Sequence, residues 1–313
     1  MNILVTGANG FIGHALISQL RNQRHDIIAA VRRSCAYPDT TVLVDELSWI
    51  EALSSQDVVI HTAARSHVMK QIEKDGLAAF REINVEGTRN LAELAANAGV
   101  RRFIFLSSIK VNGERTISGT RFTSKDNAFP EDAYGISKWE AEQALHEVSA
   151  RTGLEVVIIR PPLVYGPGVK GNLLSLLSLL NKGIPLPLGA IHNRRSLVGI
   201  DNLIALIITC IDNPAAANRT FLVSDDGDLS TTELVKHMSK ALGKPARLIP
   251  LPSPLFQFGA RILGKQDIAQ RLLANLQVDI SHTKEILGWT PQVSLNKELK
   301  KMAEWYLKGD KCE

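Results

Sequence analysis

Asn2-Ile3-Leu4-Val5-Thr6-Gly7-Ala8-Asn9-Gly10-Phe11-Ile12-Gly13 decides the fold. Asn2 to Thr6 is a short apolar run with the character of a buried strand, and glycines follow it at once. From Phe11 the spacing becomes helical, with Ile12, Leu16, Ile17 and Leu20 on one side. A glycine-rich turn between a strand and a helix serves three ends: a tight turn, close approach of backbone to a pyrophosphate, and close helix–strand packing. The helix N-terminus adds free N–H groups and a partial positive charge. Gly7, Asn9, Gly10, Phe11, Ile12 and Gly13 are therefore expected to bind a dinucleotide. The spacing is G-x-x-G-x-x-G rather than G-x-G-x-x-G, and the competing reading is a helix start that merely contains glycines.

Outward from this loop, strands are expected at residues 26–31, 41–44, 58–61, 103–106 and 155–159, with long helices at 76–98 and 134–150. The strands are continuous apolar runs, as strands buried on both faces should be. Their alternation with helices predicts an α/β fold, a doubly wound Rossmann parallel sheet. Beyond Pro161 proline and glycine become frequent. The expected division is a dinucleotide-binding unit over 1–160 and a smaller C-terminal substrate-binding lobe over 161–313, some segments of which return to the sheet.

The 313 residues are 45% hydrophobic and 22% charged, with a net charge of +4. Basic residues are spread along the chain, which argues against nucleic acid as a partner. Cys35, Cys210 and Cys312 form no pair and no Cys/His cluster, so neither a disulfide framework nor a metal site is expected. No basic segment precedes the first apolar run, and no later run is long enough to span a bilayer. A cytoplasmic protein without membrane insertion is expected.

The loop after the second strand reads Val31-Arg32-Arg33-Ser34 and contains no acid. An acid there would suit the ribose hydroxyl of NAD, whereas basic residues suit the 2′-phosphate of NADP. Arg32 and Arg33 thus point to NADP, with NAD possible and a solvated arginine pair as the plain alternative. Asp45 is a candidate partner for the adenine amino group. Tyr134 and Lys138 stand one helical turn apart, on one face. An ammonium close to a phenol lowers its pKa and fits it for proton transfer as hydride moves. Ser107 and Ser108 follow a strand directly, where ligands bind in open α/β sheets.

These motifs, with His61-Thr62-Ala63-Ala64, Asn84-Val85-Glu86-Gly87-Thr88 and Arg160-Pro161-Pro162-Leu163-Val164-Tyr165-Gly166-Pro167-Gly168, resemble the extended short-chain dehydrogenase/reductases of the nucleotide-sugar epimerase/dehydratase group. The resemblance covers almost the whole chain. It implies a catalytic trio of Ser108, Tyr134 and Lys138, with Asn84 in support. It also implies that Ala63, Ala64 and Pro161 line the cofactor. In the C-terminal part it implies a UDP-sugar site containing Ser107, Lys110, Asn172, Pro187, Leu188, Arg195 and Arg271, and a homodimer formed through the two long helices.

Dehydratases of this group carry an Asp-Glu pair after the strand-end hydroxyl, but Ser108 is followed by Ile109 and Lys110. The reading that follows is a 4-ketoreductase. Residues 106–113, 160–169 and 187–197 resemble reductases of UDP-4-keto-6-deoxy-N-acetylglucosamine. The alternatives are a UDP-hexose 4-epimerase that retains NAD and a non-enzymatic NADP(H)-sensing module.

Overall fold

The computed structural model describes residues 1–31, 40–42, 46–65, 76–262 and 264–309. In chain order its elements begin β1 (Asn2–Thr6), α1 (Phe11–Asn22), β2 (Asp26–Val31), β3 (Thr40–Val42), α2 (Glu46–Leu53), β4 (Val58–His61) and α3 (Gly76–Arg81). A π-helical turn (Glu82–Glu86) leads to α4 (Gly87–Asn97), β5 (Arg102–Leu106) and a short 3-10 turn (Ile109–Val111). Then come α5 (Ala133–Thr152), β6 (Glu155–Arg160), β7 (Leu163–Tyr165), α6 (Gly171–Asn181), β8 (Leu197–Gly199) and α7 (Ile200–Asp212). The chain continues with β9 (Arg219–Leu222), α8 (Thr231–Ala241), α9 (Ser253–Ile262), α10 (Gln266–Leu273), α11 (Ser281–Leu287) and α12 (Leu295–Lys308).

Seven strands form one parallel sheet in the order β3-β2-β1-β4-β5-β6-β9. This is the doubly wound Rossmann arrangement the alternating pattern predicts, extended at one edge by β9. The register aligns Thr6 with His61 and His61 with Phe105, so β1, β4 and β5 end together on one edge. Alternate residues of each strand supply two cores. Ile3, Val5, Ile104 and Leu106 pack with Leu16 of α1 and Leu203 of α7. Leu4, Phe103 and Phe105 pack with Leu53 of α2, Leu91 of α4 and Leu145 of α5. Both faces are covered, which is why the strands read as unbroken apolar runs.

The single long helix expected at 76–98 is divided. Its middle is the π turn, where backbone bonds skip one residue further than in an α-helix. Apolar periodicity cannot reveal this, because the same side of the helix stays buried on both sides of the turn.

The C-terminal elements build a third core, with Tyr165, Leu177, Leu188, Met238 and Met302 among its members. A two-stranded parallel ribbon of β7 and β8 runs beside it. Under that ribbon lies Glu298 of α12, fully buried and faced by Asp201. Burial first, and the charge of Asp201 second, push its carboxyl up to about 8. The folded protein therefore holds a proton that the unfolded chain releases near the ordinary glutamate value. Stability should fall as pH rises from about 4.5 toward 8 and level off above that. Glu298→Gln should flatten this slope and raise the melting temperature most at pH 8 and above. Parallel curves for the two proteins from pH 5 to 9 would refute the assignment.

Among the described residues, no helix is long and apolar enough to cross a membrane.

Candidate active site

The glycine loop is packed at distances only glycine tolerates. Gly7 has φ +70°, and a Cβ on it would lie 2.7 Å from the Ala63 nitrogen and 2.8 Å from Thr62 Oγ1. A Cβ on Gly13 would lie 2.2 Å from the Gly7 carbonyl oxygen. The Gly10 N–H donates to that same carbonyl at 2.8 Å, closing the turn. Gly10 is the N-cap of α1 and contributes no side-chain cap, so the first helical N–H groups, beginning with Phe11 and Ile12, have no partner within the helix. Thr6, Gly7, Asn9, Gly10, Ala63 and Ala64 line a cleft of about 920 Å³. Arg32, Arg33 and Asp45 lie outside the described residues.

A buried polar chain ties the ends of β1 and β4 to α4. His61 Nδ1 is 2.7 Å from Thr6 Oγ1, and Nε2 is 3.0 Å from Thr88 Oγ1. Burial, and secondarily the charge of Lys138, push His61 down to about 3, so the ring is neutral at working pH. Its ring stacks on Phe105 with centroids 5.7 Å apart. This histidine carries no role in the sequence reading. Its signal was a lone titratable residue at the end of an apolar strand.

Tyr134 and Lys138 sit in the first turns of α5. The helix is started by Asp132, whose Oδ1 accepts from the Gly135 N–H at 2.7 Å. Lys138 is buried, donates to the Leu106 carbonyl at 2.7 Å and lies 4.2 Å from the centre of the Phe105 ring. Burial pushes the Lys138 amine down to about 7, against the opposing charge of Glu142. The Tyr134 phenol goes the other way: burial, then the charge of Asp132, push it up to about 12. Proximity to an ammonium was expected to lower it; here the Lys138 ammonium is turned to the Leu106 carbonyl and the Phe105 ring, and burial sets the direction for the phenol.

Asn84 stands in the π turn, buried. Its Oδ1 accepts from the Arg65 N–H at 2.8 Å, and its Nδ2 donates to the Arg65 carbonyl and to Ser137 Oγ, each at 3.0 Å. Ser137 in turn donates to the Tyr134 carbonyl at 2.8 Å. Asn84 thus fastens the loop after β4 to the helix of Tyr134 and Lys138.

Ser108 caps the 3-10 turn, its Oγ accepting from the Lys110 N–H at 3.3 Å, and is half-buried at the sheet edge. Ser107 and Lys110 are placed differently from expectation. Ser107 points inward, buried, and donates to Glu142. Glu142 also receives Arg160 through Nε at 2.9 Å and Nη2 at 2.5 Å, and Arg160 Nη1 donates to Asn112 Oδ1 at 3.0 Å. Ser107 still continues the ladder, its N–H donating to the Ile159 carbonyl at 2.8 Å, whereas Ser108 already caps the 3-10 turn, so the two hydroxyls diverge. The substrate role expected of Ser107 therefore gives way to a place in this network. Lys110 donates to Asp132 and, at 2.9 Å, to Glu114. Its ammonium is engaged within the protein rather than directed to a ligand.

Pro161 is buried directly after β6, its carbonyl accepting from the Ile109 N–H at 3.0 Å. Asn172 is exposed in the first turn of α6, and Pro187 is half-buried. Leu188 has its side chain in the third core, and its carbonyl accepts from Thr232 Oγ1 at 2.5 Å. Arg195 Nη1 donates to the carbonyls of Arg271 at 2.7 Å and Ala274 at 3.2 Å. Burial and the charge of Arg271 both push the Arg195 guanidinium down, with Glu114 opposing. Two cationic side chains thus face one another here, beside one acid.

A Rossmann edge with a glycine cradle, a Ser–Tyr–Lys group and facing arginines marks a dinucleotide-dependent enzyme class, and the chain belongs to the NAD dependent epimerase/dehydratase family, whose model matches residues 3–224. It is 48% identical to a UDP-glucose 4-epimerase of Vibrio cholerae, over 99% of this chain and 96% of that protein. An Escherichia coli O157:H7 protein, N-acetyl-alpha-D-glucosaminyl-diphospho-ditrans,octacis-undecaprenol 4-epimerase, is 29% identical over 82% of this chain and 77% of its own length. Among solved structures, UDP-glucose 4-epimerase of Thermotoga maritima with UDP-glucose superposes with a TM-score of 0.78 at 23% identity, covering 99% of each chain.

Proposed function

We propose that the protein catalyses oxidation and reduction at C4 of a UDP-sugar, as a 4-epimerase of a UDP-hexose or its N-acetyl form with retained NAD. The observation that carries this reading is the 48% identity, along nearly the full length of both chains, to an enzyme of that activity. The cradle fits the cofactor: a Cβ on Gly7 or Gly13 would collide with the Ala63 nitrogen or the Gly7 carbonyl, so glycine alone permits the tight turn and close helix–strand packing that a pyrophosphate site uses. Held at Gly7, Asn9, Gly10 and Ala63, NAD would supply a reversible hydride acceptor for C4. In this reading Tyr134 takes the C4 hydroxyl proton and gives it back, and Ser108 donates a hydrogen bond to the same oxygen. Lys138 supplies positive charge beside the phenol. Arg195 and Arg271 receive the diphosphate, whose charge relieves their mutual repulsion, with Asn172 and Pro187 beside it.

The test is incubation of purified protein with UDP-glucose or UDP-N-acetylglucosamine and no added cofactor. Appearance of the galacto epimer, from protein carrying stoichiometric NAD, is the expected result. No epimer from either sugar would overturn the reading.

One observation favours a second reading, the 4-ketoreductase: Arg32 and Arg33 stand where an NAD site usually has an acid. That reading requires NADPH oxidation, mole for mole, with UDP-4-keto-6-deoxy-N-acetylglucosamine. It also requires Arg32→Ala/Arg33→Ala to weaken NADP(H) while leaving NAD(H) nearly unchanged. Equal affinity of the unmodified protein for both cofactors would remove its basis.

A further inference from the structure

We propose that Lys110 is a positioning residue that holds Tyr134 in register with Ser108 by gripping Asp132, the cap of the tyrosine's helix. The proposal rests on the roles given above to Tyr134 and Ser108. Ser108, Ile109 and Lys110 form one turn, closed by the bond from the Lys110 N–H to Ser108 Oγ. Lys110 leaves this turn at two points. Its carbonyl lies so near Gly135 that a Cβ there would sit 2.9 Å from it. Its ammonium pairs with Asp132, whose other oxygen accepts the Gly135 N–H. Tyr134 stands between these two anchored residues. A translation of the helix along its axis would break the ion pair or drive Gly135 into the Lys110 carbonyl.

The ion pair also shapes the field at the phenol. Tyr134 feels the charge of Asp132, the cap of its helix, and its ring meets the uncharged Phe80 ring of α3, while Asp132 itself is faced by Lys110 and Glu114 from the Ser108 turn. Burial works to raise the Asp132 carboxyl, yet the bonds from Lys110 and the Gly135 N–H hold it below the ordinary carboxylate value. Removing the Lys110 charge leaves an unscreened anion two residues from the phenol, which makes Tyr134 harder to ionise. Glu114, bonded to Lys110 on its other side, opposes the repulsion felt by Arg195.

The experiment uses the full-length holoenzyme and compares Lys110→Met, Lys110→Arg, Asp132→Asn and Tyr134→Phe. Lys110→Met should lower kcat by about 10- to 100-fold, the scale of a misplaced reacting group, with KM within about twofold. The acidic limb of the kcat–pH profile should move to higher pH, and Lys110→Arg should restore both. Amide exchange at residues 133–137 should speed up in Lys110→Met and Asp132→Asn, a readout independent of activity. Unchanged kcat and pH limb in Lys110→Met, or a raised KM with intact kcat, would overturn the proposal; the second result would make Lys110 a substrate ligand. Normal turnover in Tyr134→Phe would instead overturn the reading of the site on which the proposal stands.

Discussion

Tyr134→Phe should lower turnover by about 10²–10⁴-fold, the usual contribution of a positioned acid–base group. The phenol is half-buried at the sheet edge, with its ring edge-on to Phe80 at 6.1 Å between centroids. Phenylalanine keeps that packing and loses only the proton carrier. Folding and cofactor content should survive, as checked by thermal unfolding and by the nicotinamide released on denaturation. The phenol at about 12 and the amine at about 7 set the pH behaviour. Below about 7 Lys138 carries its charge, and above it the amine is neutral. Turnover that survives in the variant would mean that another group moves the proton.

The second large effect is on stability. Glu142→Ala should cost about 3–5 kcal/mol, because it leaves the buried Arg160 guanidinium without its anion. The Glu142 side chain is 1% exposed and that of Arg160 is 9% exposed, and Ser107 loses its acceptor as well. The comparison is Glu140→Ala two residues earlier. Glu140 pairs with Arg81 at 2.6 Å, but the arginine is half-exposed, so the loss should be within about 0–1 kcal/mol. Urea unfolding of both variants decides the matter. Similar costs would mean that the buried pair is replaceable and the network ornamental to stability.

The residues up to Gly13 made the sheet legible, because a strand, a glycine turn and a helix have separate periods and a single order. The strands at β4, β5 and β6 were legible for the same reason: burial on both faces leaves an apolar run with no other explanation. Tyr134 and Lys138 stood out by spacing alone. The network beneath them was harder to see. Lys138, Glu142 and Leu145 share one stripe of α5, and a lysine and a glutamate on an apolar stripe were a signal that burial had to be paired. The partner of Glu142, Arg160, lies at the end of β6, and no local pattern joins the two. Ser107 extends the ladder of β5 and Ser108 caps the turn after it, and adjacent identical residues carry no mark of that. Lys110 was expected at the UDP-sugar because its two acids, Glu114 and Asp132, meet it only through the fold of the loop between β5 and α5.

The π turn before α4 has a consequence for how this helix can vary. Phe80, Asn84, Thr88 and Ala92 are all buried, and they recur every four residues. At 3.6 residues per turn, each step of four overshoots by ~40°, so three steps would carry the buried line ~120° around an ideal helix. The one extra residue held in Glu82–Glu86 takes back ~100° of that drift. The segment behaves as an α-helix with a single residue inserted, and the insertion keeps Asn84 and Thr88 on one line facing Ser137 and His61. Deleting any one residue from the turn would give a longer, more regular helix. It would also rotate everything upstream by about a quarter turn and unfasten the loop that Asn84 holds. Length here is a phase setting: a change of one residue matters more than most changes of residue type.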